Sequence, residues 1–271
     1  MKRSELKDFL NEKVLLYNHT DFIATDPIQI PHQFNDPADI EIAAFLIATI
    51  AWGNRKSIIN NGNKLMDLMD HSPAEFIKNH QLKDLDRFDG FVHRTFNRGD
   101  LKTFIRALQK ILVTHGTMEN CFVQMLEKVE GAYENSAFAK AYLPKSPLQV
   151  AISLFKQEFF TVNHESRSQK HVSDPLKNSS AKRINMFLRW MVRKDNAGVD
   201  FGIWRQLDAS LLSLPLDVHT GNIARKLKIL KRKQNDARAV AELDAVLRKL
   251  DPTDPVKFDF ALFGLGAFND F

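Results

Sequence analysis

The sequence predicts an all-α protein, and three observations predict it. Its long segments repeat apolar residues at helical spacing. Helix-start signals recur between them, and no segment alternates polar and apolar residues as a half-buried strand does. With 271 residues, 44% hydrophobic and 26% charged, the chain has an ordinary globular composition and can bury a core as one large domain or two small ones.

Taken in order, "DIEIAAFLIATIAW" (39–52) is apolar nearly all round, which predicts a buried central helix. "RKSIINNGNKLMDLMDH" continues with Ile58, Ile59, Leu65, Met66 and Met69 at roughly helical spacing. "SPAEFIKNH" starts on Ser72 as N-cap, with Pro73 in the first turn and Glu75 three residues after the cap. "DLKTFIRALQKILVTHG" is expected to begin on Asp100 and stop at Gly116, and "SPLQVAISLFKQEFF" opens on a second Ser-Pro cap. Residues 161–181 are polar and lack helical periodicity, which predicts a mobile segment or a functional loop. In "SAKRINMFLRWMVRKDNAG", Ile184, Phe187, Leu188 and Met191 form a core-facing stripe. Lys182, Arg189 and Arg193 form another face, and Gly198 is the expected end.

Apolar runs such as "AAFLIATIAW" are too short to span a bilayer, and "MKRSELKDFLNEK" has no secretory apolar region, so a cytoplasmic protein is expected. The single cysteine, Cys121, can form no intrachain disulfide and is read as a buried apolar residue. The net charge is +5, but twelve lysines and arginines lie between Ser180 and Asn235 against four aspartates and no glutamate. That surplus of eight in one segment resembles a polyanion-binding face and equally suits a solvated helix surface.

"LPLDVHTGNIARKLKIL" (214–230) places Asp217 and His219 just before a basic helix. As an N-cap, Asp217 would accept an orphan backbone N–H at the positive end of the helix dipole. His219 is read as a structural histidine bonded to backbone, or as a supporting contact for Asp217 or a phosphate. Arg225, Lys228 and Arg232 fall along one side of the following helix and are candidate phosphate contacts. Two ligands at i, i+2 on a helix diverge, so Asp217 and His219 make a poor metal pair, with His171 the only conceivable third partner. Neither a metal nor a cofactor is implied. Asp254 before Pro255 reads as a helix start. Asp259, on an apolar segment, needs an Arg or His partner if buried, with an active-site role as the alternative.

"SSAKRINMFLRWMVR", "LPLDVHTGNIARKL" and "DPVKFDFALFGLG", together with "DIEIAAFLIATIAWGNRKSI" and "FVHRTFNRGDL", resemble the motifs of an uncharacterised bacterial protein family, a domain of unknown function, over nearly the whole chain. More distantly, "LDVHTGNIAR" resembles the "VDTHV-x-R" segment of the helix-hairpin-helix DNA glycosylases, matching at Asp217, His219 and the apolar Leu216. That resemblance implies a helical barrel (41–212, carrying the polar loop 161–181). It also implies a second helical subdomain from both chain ends (1–40 with 213–271), with the active site in the cleft between them. It makes Asp217 the catalytic carboxylate, and it places "WGNRKS" at a loop that probes the duplex, with Asn54 and Arg55 as the wedge. The family's glycine-rich "LPGVG" hairpin is missing; "NAGVDFGIW", with Gly198 and Gly202, is nearest to it. No lysine falls on the position of the sugar-attacking lysine of bifunctional members, Lys194 and Lys182 being nearest, so a monofunctional enzyme is expected.

Breaking an N-glycosidic bond builds positive charge on the sugar, which a nearby carboxylate stabilises while orienting or deprotonating water. The base must leave the stack and enter a pocket with aromatic or apolar walls. Trp52, Trp190, Trp204 and Phe263 are candidates for those walls, each weighed against a plain core role. Lys182, Arg189 and Arg193 would face the nucleic acid, most readily duplex DNA. Base-excision glycosylase is the first expectation, a non-catalytic nucleic-acid-binding protein on the same fold the second, and a hydrolase of free nucleosides or RNA the third.

Overall fold

The computed structural model describes residues 2–129, 131, 137, 140 and 146–268, and these are helical apart from one short hairpin and the connections. Helix α1 (Arg3–Tyr17) buries Leu6, Leu10, Val14 and Tyr17 as one stripe. Three 3-10 turns between Thr20 and Gln33 lead to α2 (Pro37–Ile50), capped by Asp36, whose side chain accepts the Ala38 N–H at 2.8 Å. Every residue from Ile40 to Ile50 is buried, as expected of a helix apolar all round. The acid within that run, Glu41, accepts Trp204 Nε1 (2.7 Å) and the Met118 and Glu119 N–H groups (3.1 and 3.3 Å), so it binds the start of a neighbouring helix.

Helices α3 (Arg55–Asp67), α4 (Pro73–Asn79), α5 (Arg98–His115), α6 (Met118–Glu127) and α7 (Pro147–Phe159) follow. Ser72 and Ser146 occupy the N-cap positions of α4 and α7, yet neither side chain bonds a helix N–H. For α4 that work passes to Asp39, which accepts the Ala74 N–H at 2.9 Å. Helix α5 starts two residues before Asp100, because Asn97 is the cap and Asp100 closes a capping box on it. Its end at Gly116, φ 81°, is where the sequence puts it. Between α4 and α5 lies a hairpin, β1 (Val92–His93) with β2 (Phe96–Asn97), whose two-residue strands are too short to show an alternating pattern.

The polar segment 161–181 is ordered: two 3-10 turns, Ser166–His171 and Pro175–Lys177, are tied down by the buried Asp100 and the part-buried Asp174 rather than by helical periodicity. Asp100 accepts Arg167 Nη1 and Ser168 Oγ at 2.7 and 2.6 Å, and Ser153 Oγ donates to Asp174 at 2.7 Å. Helix α8 (Lys182–Val192) ends well before Gly198, because the returning chain takes its last carbonyls. Phe201 N and Gly202 N donate to Trp190 O, and Trp204 N donates to Met191 O. Helices α9 (Val218–Lys226), α10 (Ala237–Leu250) and α11 (Phe258–Ala267) complete the chain.

Helix α8 packs on α2, while α1 and α9 both pack on α11, which brings the N-terminal helix against the C-terminal one. Phe45 sits at the middle of the aromatic core, its ring centroid 5.4–6.1 Å from those of Phe104, Phe155, Phe159 and Phe187. Cys121 is fully buried, and burial pushes its thiol pKa up to about 12, as expected of a packing residue. Among the described residues, no helix is long and apolar enough to cross a membrane.

Candidate functional site

A cavity of about 620 Å³ opens where the start of α8, the start of α9, the α2–α3 turn and α11 converge. Asp217, the N-cap of α9, lines it. Its Oδ1 accepts the Thr220 N–H at 2.9 Å and its Oδ2 lies 3.2 Å from Lys182 Nζ, leaving the side chain 13% exposed. The Asp217 carbonyl is held in turn by Asn235 Nδ2 at 2.8 Å. Asp217 is therefore a cap that lines a cavity and whose second oxygen meets a cation.

Behind it lies a buried ion network. Asp259 on α11 is paired with Arg189 Nη1, and Arg189 Nε lies 3.2 Å from Asp200. Arg193 binds Asp200 (3.1 Å), Asp254 (2.9 Å) and Asp195 (2.6 Å). Burial, joined by the negative charge of Asp217, pushes the Asp259 pKa up to about 6 against the pull of Arg189. Asp259 lines the cavity and lies 3.5 Å from Thr220 Oγ1. Its predicted arginine partner is present. Asp254 is the helix-start residue the sequence predicts, accepting the Lys257 N–H at 3.2 Å.

Two expectations about cations need correction. Arg189 and Arg193 do not share a solvent-facing basic stripe with Lys182: both are buried and occupied by aspartates, since a guanidinium inside the protein requires such partners. The row of Arg225, Lys228 and Arg232 does not form, because α9 stops at Lys226 and Lys228 takes a left-handed conformation, φ 61°. Arg225 instead donates to Arg232 O (2.8 Å) and Asn235 (2.5 Å), and Arg232 pairs with Asp236; Lys228 is exposed. In "NAGVDFGIW", the stretch nearest to the missing hairpin, the Phe201 and Gly202 N–H groups are consumed by Trp190 O.

Trp52, Trp190 and Phe263 all line the cavity, although Trp190 is almost wholly buried. Trp204 does not; it is a core residue bonded to Glu41. Arg55 lines the cavity, whereas Asn54 turns its side chain back to cap α3 at Ser57 N (3.1 Å), so the expected wedge pair is split. His219 is exposed on the cavity edge, its Nδ1 3.2 Å from Gly266 O and its ring 6.0 Å from that of Phe263, in keeping with a backbone-bonded histidine. His171 is distant from any such role: it is buried beside Asp100, with Nε2 3.4 Å from the carboxylate. Among the described residues no group of three or more His, Cys, Asp or Glu side chains is arranged to hold a metal ion.

Two lining residues escape a reading of the sequence. Asp26 caps a 3-10 turn through Ile28 N (3.0 Å), and burial raises its pKa; an Asp-Pro step signals a cap and nothing more. Arg183 lines the cavity together with Lys182, and nothing in "SSAKRIN" sets it apart from the cations that lie elsewhere.

Residues 26–268 match the model of a family described as a protein of unknown function (DUF2400). No curated protein and no solved structure matches the chain.

Proposed function

The chain belongs to this DUF2400 family, whose description gives no activity, and from the site itself we propose a DNA base-excision glycosylase-like protein that hydrolyses the N-glycosidic bond of a damaged base, on a helix-hairpin-helix glycosylase-like fold. The observation that carries this reading is the Asp217 carboxylate, fixed by its helix and lining a cavity of about 620 Å³ walled in part by Trp52 and Phe263. That volume falls among small-ligand sites, roughly 300–1,000 Å³. Asp217 stabilises the cationic sugar as the base departs and orients the attacking water, its own position held by Thr220 N and Asn235. The aromatic walls receive the extruded base.

One distance favours a second reading of the same reaction. With Lys182 Nζ only 3.2 Å from Asp217 Oδ2, the carboxylate can accept a proton from the amine, and the freed amine can attack the sugar carbon as the base leaves. Water as nucleophile gives a monofunctional enzyme. With Lys182, the new C1′–N bond replaces the bond to the base, which leaves with one amine proton. The ring C1′–O bond then breaks to give a covalent imine, the ring oxygen taking the proton held by Asp217. Incubating duplexes that carry oxidised, alkylated and deaminated bases, with and without borohydride, tests both. Base release without trapped protein supports the monofunctional enzyme, and a trapped adduct lost in Lys182→Gln supports the second reading. Duplex binding with no release on any lesion favours the non-catalytic binding protein.

A further inference from the structure

Three arginines converge on the turn from Ala51 to Arg55, at the edge of the cavity. Arg183 lays its guanidinium 4.7 Å from the Trp52 ring centroid and donates to Thr49 O and to His171 O (3.2 Å). Arg94, at the tip of the β1–β2 hairpin, lies over Gly53: a Cβ there would stand 2.7 Å from its Nη1 and 2.9 Å from its Cδ. Arg55 opens α3 and lines the cavity.

Among the described residues none of the three forms an ion pair with a carboxylate, in contrast to Arg189 and Arg193 nearby. The acids of the cavity do not supply the missing charge. Asp217 faces Lys182 and Asp259 faces Arg189, leaving Asp26 to act on Arg55 only from a distance. Burial without a counter-charge pulls the Arg183 pKa down to about 10. Arg183 is partly buried without a counter-charge, and Arg55 and Arg94 stand exposed beside the same turn, so the cluster presents uncompensated positive charge to an anion from outside. The planar guanidinium fork matches phosphate oxygens in particular.

We propose that the Ala51–Arg55 turn, with Arg94 and Arg183, is a phosphodiester-binding site for the nucleic-acid backbone beside the nucleotide whose base enters the cavity. The proposal rests on the base-release reading of that cavity. Position 53 suits glycine because its φ of +99° strains any L side chain, and glycine there lets Arg94 lie directly over the turn. The site also gives the "FVHRTFNRGDL" hairpin a task, that of presenting Arg94.

The test is anisotropy of a short fluorescent duplex titrated with the full chain at several salt concentrations, comparing the parent with Arg94→Ala, Arg94→Lys and Arg55→Ala. Thermal melting of each variant separates a packing effect of Arg94 from a phosphate contact. The expected result is binding weakened about three- to tenfold by each alanine, with the slope of log affinity against log salt falling by about one, and the slope kept by Arg94→Lys. Unchanged slopes in both alanine variants beside a parent that binds and releases base would overturn the phosphate site and leave the glycosylase reading standing. A parent with no salt-sensitive duplex binding would overturn both.

Discussion

Lys182 Nζ and Asp217 Oδ2 stand 3.2 Å apart at the cavity wall, although one begins α8 and the other caps α9. The pair is part-exposed, so it contributes little to stability; its consequence is for where the carboxylate points. Replacing Lys182 by Met is expected to slow base release by roughly ten- to a hundredfold while changing unfolding free energy by less than about 1 kcal/mol. Parallel single-turnover and urea-unfolding measurements check the two halves. A large loss of stability with release intact would make the pair merely structural.

The Arg189 network behaves oppositely. Arg189→Met would leave Asp259 buried without its cation and Asp200 with Arg193 alone. Breaking a buried pair from one side costs about 3–5 kcal/mol, so urea unfolding should show a loss of that order, partly restored in Arg189→Met/Asp259→Asn. No restoration would mean that the cost lies in packing around the Arg189 stem.

Gly264 on α11 faces the Tyr17 ring so closely that a Cβ would fall well inside contact distance, against the body of the ring. Gly264→Ala is therefore expected to destabilise by about 1–3 kcal/mol through overpacking where α1 meets α11. Melting of the Ala variant alone and with Tyr17→Leu checks this, the second change being expected to relieve the first.

His171 supplies a pH dependence. It is buried beside Asp100, and burial, followed by the positive charge of Arg183 and its neighbours, pulls its pKa from 6.5 down to about 4 against the pull of Asp100. Between these values the unfolded chain takes up a proton that the native imidazole refuses. Stability then rises with pH across this window and is lost as pH falls from about 6.5 toward 4, by on the order of 3 kcal/mol in all. A ring resonance of His171 that does not titrate above about pH 5 is the expected NMR result; a midpoint near 6.5 would contradict it.

What the sequence makes legible follows from the range of each interaction. Helix identity is local, so the buried α2, the Gly116 stop and the Asp217 cap can be read from neighbours a few residues apart. The order in residues 161–181 cannot, because it depends on Asp100 reaching Arg167 and Ser168 across the fold. Charge counting sees the surplus between Ser180 and Asn235 but not its use: Arg189, Arg193, Arg225 and Arg232 are spent on aspartates, carbonyls and an amide within the fold. The arginines lacking such acid partners, Arg94 and Arg183, join the site from segments distant in sequence from Arg55, by contacts no periodicity encodes.

On the proposed base release, Asp217 is a working carboxylate as well as a cap. The most direct measurement is single-turnover base release from lesion-bearing duplexes by the parent and by Asp217→Asn, with unfolding of both followed in urea. Asn caps a helix about as well as Asp, so the variant is expected to keep nearly parental stability while release falls by at least about a hundredfold. Release at the parental rate in a stably folded Asp217→Asn protein would contradict that role.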